Sequence, residues 1–286
     1  MQTHFLTYYT SGYEKSAKRL IKSARKFGLN NQHIFNRNDL EQTEFYRQHR
    51  NILDLPQRAG CSLWKIYYMH HVYFQMNEGD VLFYADAGSE IIKNPQPLID
   101  IASNEGVCLF NLNNHPKNCA WTKRDAFVLM NLDVLECHET PQTNAFAQLY
   151  QKNKTNDAFM NEMLKYGCDI RIIGDLENTC GLPNLEGFKE HRYDQSVLGI
   201  LTHKYKFELH RYPAQWGNHW KLEKYRKKGE WKPEPYSNAP MLNSDYDTIF
   251  DHHRNYSIWK EMKKKSFWIG KYYEFKHKVK MAIMLK

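Results

Sequence analysis

The residues of this chain best suited to chemistry stand in the run Gly79-Asp80-Val81-Leu82-Phe83-Tyr84-Ala85-Asp86-Ala87-Gly88. Val81 to Ala85 is a short apolar run with β-branched and aromatic residues, bounded by Gly-Asp before it and Asp-Ala-Gly after it. That is the pattern of a central strand covered on both faces. It puts Asp86 at the C-terminal end of the strand, where open α/β sheets bind their ligands. Small Ala87 and permissive Gly88 let a divalent ion and a diphosphate approach the backbone, since hard cations take oxygen ligands and bridge phosphate oxygens. The simpler reading of the same residues is an Asp-Gly turn that closes a strand.

Four other clusters carry chemical side chains. Thr10, Gly12 and Tyr13 end the first predicted strand and open a helix, where a flexible backbone and an aromatic ring suit a base or ribose as well as an ordinary helix start. Arg58, Gly60 and Trp64-Lys65 come next, and a lysine in the first turns of a helix lies where incoming phosphates are also favoured by the helix N-terminus. Trp121-Thr122-Lys123-Arg124-Asp125 sets two cations and a carboxylate beside a tryptophan, a combination that suits a sugar or a solvated helix start. Asp251-His252-His253-Arg254-Asn255 offers imidazoles of the kind that ligate Mn²⁺-like ions, although 14 histidines make an adjacent pair easy to obtain by chance.

These segments, together with Gly60-Cys61-Ser62-Leu63-Trp64-Lys65 and His191-Arg192-Tyr193-Asp194-Gln195-Ser196, resemble nucleotide-sugar glycosyltransferases of the GT-A superfamily. The likeness is nearest to small bacterial and large-DNA-virus enzymes that build surface glycans, and it covers most of residues 1 to 255 as an ordered series of motifs. It implies that Arg58 and Lys65 lie against the donor nucleotide, that Lys123, Arg124 and Asp125 lie beside the donor sugar, and that Asp194 and Gln195 stand near the anomeric carbon. Asp194 would then be a base on an acceptor hydroxyl in an inverting reaction, or a carboxylate that stabilises positive charge on the sugar in a retaining one. It also implies a Mn²⁺ or Mg²⁺ ion on Asp86. The family motif usually carries a second aspartate where this chain has Gly88, so either the reaction does not depend on a metal or a further ligand comes from elsewhere. His252 or His253 is in place for that, with Arg254 pairing the diphosphate.

The elements that must hold these groups read as alternating strands and helices, the signature of a mostly parallel sheet. Strands are predicted at Phe5 to Thr10, Gln32 to Phe35, Val81 to Ala85, Val107 to Leu112 and Ile170 to Ile173. Helices are predicted from Tyr13 to Lys26, Ser62 to Met76, Trp121 to Met130, Phe146 to Tyr166 and Asp194 to Thr202, with Ser62 and Asp194 as candidate caps and a loop between Gly174 and Gly187.

Composition bounds the rest. The 286 residues suffice for one large α/β catalytic domain, placed at 1–255, with an extension at 256–286. The apolar content of 42% and the aromatic content of 14% exclude a disordered chain. Six scattered cysteines without a Cys-x-x-Cys pair suggest neither a zinc site nor a disulfide framework. No apolar stretch approaches a membrane span and no signal peptide is legible, so a cytoplasmic protein is expected. The formal charge of +8 is concentrated toward Trp216 to Tyr236 and the tail, where lysines alternate with tryptophan, tyrosine and phenylalanine. A basic amphipathic segment of this kind suits an anionic membrane surface.

The sequence therefore points to transfer of a sugar from a nucleotide diphosphate, UDP first among them, to a hydroxyl of a glycan or glycolipid acceptor, on the inner face of the membrane and within lipopolysaccharide or capsule synthesis. The rivals are a nucleotidyltransferase or sugar-nucleotide hydrolase on a similar sheet, and a basic nucleic-acid-binding protein. Against the last, the chain has no base-reading motif, and no nucleic acid partner is expected.

Overall fold

A computed structural model describes residues 1–112, 116–214 and 243–252. His253, Arg254, the whole of Trp216 to Tyr236 and the whole extension at 256–286 lie outside the described residues.

Six strands form one sheet: β1 (Thr3–Tyr9), β2 (Asn31–Asn36), β3 (Val81–Ala85), β5 (Val107–Asn111), β6 (Thr143–Gln151) and β7 (Leu209–His210), in the spatial order β2-β1-β3-β6-β5-β7. β6 runs antiparallel to both its neighbours, and the remaining pairs are parallel. The expected α/β architecture with a mostly parallel sheet therefore holds. A two-stranded ribbon of β4 (Ser89–Ile91) and β8 (Phe250–His252) stands just beyond the end of β3.

Alternation along the strands sorts side chains to two cores, because successive residues of a strand face opposite ways. Leu6, Tyr8, Leu82 and Tyr84 join a core under the helices Leu63–Tyr73, Lys154–Gly167 and Asp194–Lys204. Phe5, Val81, Phe83 and Ala85 join the other, under Glu14–Lys26 and Gln96–Glu105. All five residues of β3 are buried, as are all five of β5, which is why β3 and the first four residues of β5 read as apolar runs. Asp80 begins β3 as a backbone anchor, taking the amides of Gln2 and Asn77 at 2.6 and 3.2 Å.

Three predicted elements are corrected. The segment expected as helix from Phe146 is the strand β6, with the helix starting only at Lys154 behind the Asn153 cap. Ile170–Ile173, expected as a strand, is a single helical turn whose Asp169 side chain accepts the Arg171 amide. The helix expected from Trp121 to Met130 is broken, because Thr122 and Lys123 are extended between Asn118–Trp121 and Arg124–Leu129. Among the described residues no helix is long and apolar enough to cross a membrane. All six cysteines are free thiols.

Candidate active site

β3 delivers Asp86 to the C-terminal edge of the sheet. There its amide donates to Phe146 O at 2.8 Å, and its own carbonyl accepts the Ser89 amide at 3.2 Å and the Ser89 hydroxyl at 2.8 Å. Two residues back on the same face, the buried Tyr84 hydroxyl donates to Asp86 Oδ1 at 2.6 Å. Burial, followed by the Asp86 charge, pushes the Tyr84 phenol well above its ordinary range, so it remains a donor.

Lys65 reaches the same carboxylate from the helix Leu63–Tyr73. Its Nζ lies 3.2 Å from Asp86 Oδ1 and 2.9 Å from Asp194 Oδ2, and it donates to Ala145 O at 3.1 Å. The side chain is only 6% exposed. Burial alone lowers a lysine pKa, but Asp194 and then Asp86 outweigh it and hold Lys65 above its ordinary value, so the ammonium is permanent. Asp194 is also buried, and burial raises its carboxyl above the usual range against the pull of Lys65, with the Asp86 charge adding to the rise. Two carboxylates thus share one fixed cation, and the cluster retains affinity for a second positive charge.

The backbone that presents this pair is strained on both sides. Arg58, Ala59, Gly60, Cys61 and Ser62 all have positive φ, between 48° and 92°. Four of these five are not glycine, and each such residue costs about 1–2 kcal/mol in the left-handed region. The turn is fixed by Gly60 N donating to Leu55 O at 2.8 Å and Cys61 N to Gln57 O at 2.7 Å. It ends at the buried Ser62, the residue before the helix that carries Lys65. Tyr193, just before Asp194, is a second outlier at φ 52°, ψ −122°. Strain held on both approaches to one ion pair marks a site whose geometry the surrounding structure over-determines. Neither predicted cap acts as one: Ser62 makes no side-chain cap bond, and Asp194 is the first helical residue, not the cap.

The remaining candidates fall into two groups. Thr10 O accepts the Tyr13 amide at 3.0 Å across Gly12, which sits at φ 88°, and Tyr13 is exposed. A Cβ placed on Gly88 would lie 3.9 Å from Tyr13 Cε1, so the turn after β1 borders the turn after Asp86 and Ala87. Arg58 is exposed at the start of the left-handed turn, and its charge acts on the Tyr193 phenol. Gln195 donates to Gln142 Oε1 at 2.9 Å. Tyr13 thus lies next in space to the turn after Asp86, and Gln195 next in sequence to Asp194. Lys65 itself, expected against a phosphate, is instead spent on two carboxylates.

The Trp121 segment is engaged otherwise. Lys123 is buried, donates to Leu176 O at 3.0 Å and lies 3.7 Å from Asp125; burial lowers its pKa. Arg124 pairs with Asp133 at 2.8 Å. Asp125 is fully buried and accepts the Thr179 amide at 2.8 Å, the Thr179 hydroxyl at 3.0 Å and the Cys180 amide at 2.8 Å. Burial would raise its pKa, but these donors outweigh it and hold the carboxyl below its ordinary value. The side chains of this trio are engaged by the 174–193 segment, by Asp133 and by one another.

For a divalent ion the chain offers Asp86 and His252. The contacts from Tyr84 and Lys65 both fall on Oδ1, leaving Oδ2 outside them. His252 pairs with Ser89 across the β4–β8 ribbon, and its Nδ1 meets the Tyr212 hydroxyl at 2.8 Å, the kind of support that orients a ligating imidazole. Among the described residues no group of three His, Cys, Asp or Glu side chains could hold a metal. One carboxylate and an imidazole make a small donor set that substrate phosphates would have to complete, as they do at many Mg²⁺ sites. Tyr84 and Gln142 touch the candidate site residues, and sequence reasoning singled out neither. Only Tyr84 carried a signal, its two-residue spacing from Asp86 on a strand.

No protein-family model and no curated protein matches the chain. Among solved structures, mouse xyloside xylosyltransferase 1 in its apo form is similar at 9% identity and a TM-score of 0.46, over 90% of this chain and 99% of that one. The galactosyltransferase LgtC, solved with donor and acceptor sugar analogs, is similar at 10% identity and a TM-score of 0.44, over 88% and 87%. The apo glycosyltransferase GlyE of Streptococcus pneumoniae TIGR4 follows at 14% identity and 0.33, over 72% and 44%. With every one of these TM-scores below 0.5, the likenesses are too shallow to assign chemistry.

Proposed function

We propose that this chain is a glycosyltransferase that moves a sugar from a nucleotide diphosphate, UDP in the first instance, to a hydroxyl of a glycan or glycolipid. The observation that carries the reading is the buried Lys65 ammonium set between Asp86 and Asp194 at the C-terminal edge of the sheet. A purely structural ion pair has no need of a third charged partner from a strand end, or of strained backbone on both approaches.

In this reading Thr10, Gly12 and Tyr13 receive the nucleoside, and Arg58 meets the diphosphate. Asp86 with His252 or His253 holds Mn²⁺ or Mg²⁺, which when bound supplies Lewis-acid neutralisation of charge on the leaving diphosphate. Lys65 fixes the distance between Asp86 and Asp194 and keeps both carboxylates oriented toward the reacting centre. Asp194, lifted above the ordinary carboxyl range by burial, is moved in the direction a general base requires. The same carboxylate beside a positively charged anomeric carbon would serve a retaining course, and both courses stay open. Gln195 supports the sugar. The basic aromatic segment at 256–286 docks the enzyme on an anionic cytoplasmic membrane face, where lipid-linked acceptors for lipopolysaccharide or capsule are available.

The test is calorimetric titration with UDP, with and without Mn²⁺, on the parent chain, on Asp86→Ala and on His252→Ala with His253→Ala. Micromolar binding that requires Mn²⁺ and disappears in both variants is the expected result. No binding of UDP under any condition removes the UDP assignment.

A further inference from the structure

The longest irregular stretch among the described residues, Gly174 to Tyr193, runs from the helical turn Ile170–Ile173 straight into Asp194. It is held with unusual investment for a surface connection. An ionised carboxylate is expensive to bury unless fully bonded, yet Asp125 is entirely buried and gives both its oxygens to Thr179 and Cys180. The clamp is reciprocal, since the Asp125 amide donates to Asn178 Oδ1 at 3.1 Å and the Arg124 amide to Asn184 Oδ1 at 2.9 Å.

The stretch runs from the clamp to the candidate site. One end is Tyr193, strained at φ 52° and joined to Asp194. Near the other, the buried Lys123 donates its ammonium to Leu176 O at 3.0 Å, tying the start of the stretch to the Asp125 clamp.

We propose that Gly174 to Tyr193 is the wall of the site on the Asp194 side, that it keeps water away from the donor sugar, and that Asp125 is its positioning residue. The inference rests on the glycosyl-transfer reading, because water is the competing acceptor there. In the competing reaction the water oxygen bonds to the anomeric carbon, the diphosphate leaves with the electron pair of the broken carbon–oxygen bond, and the water proton passes to Asp194 or to solvent. Excluding water is what a closed wall contributes to transfer.

The test uses the full chain and Asp125→Asn, which keeps the size but removes the charge and replaces with an NH₂ one of the two oxygens that accept from Thr179 and Cys180. Three readouts are taken: UDP affinity in Mn²⁺, UDP release from UDP-glucose, UDP-galactose and UDP-N-acetylglucosamine without acceptor, and amide hydrogen exchange. The expected result is UDP affinity within about two-fold of the parent, release into water raised about five-fold or more, and faster exchange across both 174–193 and 58–62. Faster exchange confined to 178–181, or release unchanged or reduced at normal UDP affinity, overturns the proposal. If Asp125→Asn shows no cooperative melt, Thr179→Val removes one hydroxyl donor and is expected to move the same readouts less far. A parent chain that neither binds UDP nor releases it refutes the functional reading instead, and the exchange pattern still decides whether the wall and the turn move together.

Discussion

Lys65 Nζ stands 2.9 Å from Asp194 Oδ2, joining the start of one core helix to the start of another, and both side chains are out of water. With Asp86 3.2 Å from the same nitrogen, the ammonium is the one charge that lets two carboxylates coexist there.

Removing that charge is therefore expected to cost more than an ordinary core change. Lys65→Met fills the volume but leaves Asp194 buried without its counter-ion, a loss of about 3–5 kcal/mol. Urea unfolding measures it. Adding Asp194→Leu should recover much of the loss, since removing both partners of a buried pair is far cheaper than removing one. Equal stability of Lys65→Met and the parent would show that the pair is not buried as described.

In the proposed function, Asp86 holds the ion through one oxygen while Tyr84 braces the other. Asp86→Ala is expected to weaken Mn²⁺-dependent UDP binding about 100-fold or more, because the ion loses its carboxylate. Tyr84→Phe removes one hydrogen bond to a charged group and should cost about tenfold, while leaving the Mn²⁺ requirement intact. Titrations of the two variants side by side check this, and a Tyr84→Phe protein that binds UDP without Mn²⁺ would contradict the division.

Much of this arrangement was legible in the sequence, and the illegible parts have physical reasons. β3 and Asp86 could be read because a doubly covered strand leaves a continuous apolar run bounded by turn residues. Thr143–Gln151 could not, since its alanines, asparagine and glutamines favour no strand, and burial between β3 and β5 decides its state. Ile170–Ile173 misled in the other direction: β-branched residues suggest a strand, but the Asp169 cap nucleates a helical turn. The left-handed turn was hidden because only Gly60 of its five residues signals positive φ. Lys123, Arg124 and Asp125 show that charges next to a tryptophan can be consumed by a loop that sequence spacing does not connect to them.

Acid should destabilise the protein through His191. Burial, and then the nearby Lys123 ammonium, bring its pKa from 6.5 down to about 3, so the folded ring is neutral. A histidine depressed by folding contributes stability that is complete above the unfolded value of 6.5 and is lost as pH falls toward 3, because the unfolded chain binds the proton first. Denaturant midpoints at pH 7.5, 6 and 4.5 should therefore fall steadily, and His191→Gln should flatten that slope. An unchanged slope in the variant would assign the acid sensitivity to other groups.

The strained turn makes a prediction that separates conformation from packing. Gly60 has φ 92°, and a Cβ there would lie 2.7 Å from both Leu53 Cα and Leu53 O, which are backbone atoms unable to step aside cheaply. Gly12 has nearly the same φ, 88°, with nothing within 4 Å of its would-be Cβ. Gly12→Ala should then cost only the left-handed penalty, about 1 kcal/mol. Gly60→Ala adds overpacking and should cost about 2–4 kcal/mol in all. Because the turn ends at Ser62 and carries Lys65 one helical turn later, Gly60→Ala should also reduce sugar transfer more than it reduces UDP affinity. Thermal unfolding of the two variants gives the first comparison, and UDP-sugar turnover against UDP titration gives the second. Equal penalties at the two glycines would mean that the turn can relax without disturbing Leu53, and that the strain ahead of Lys65 is not fixed by its neighbours.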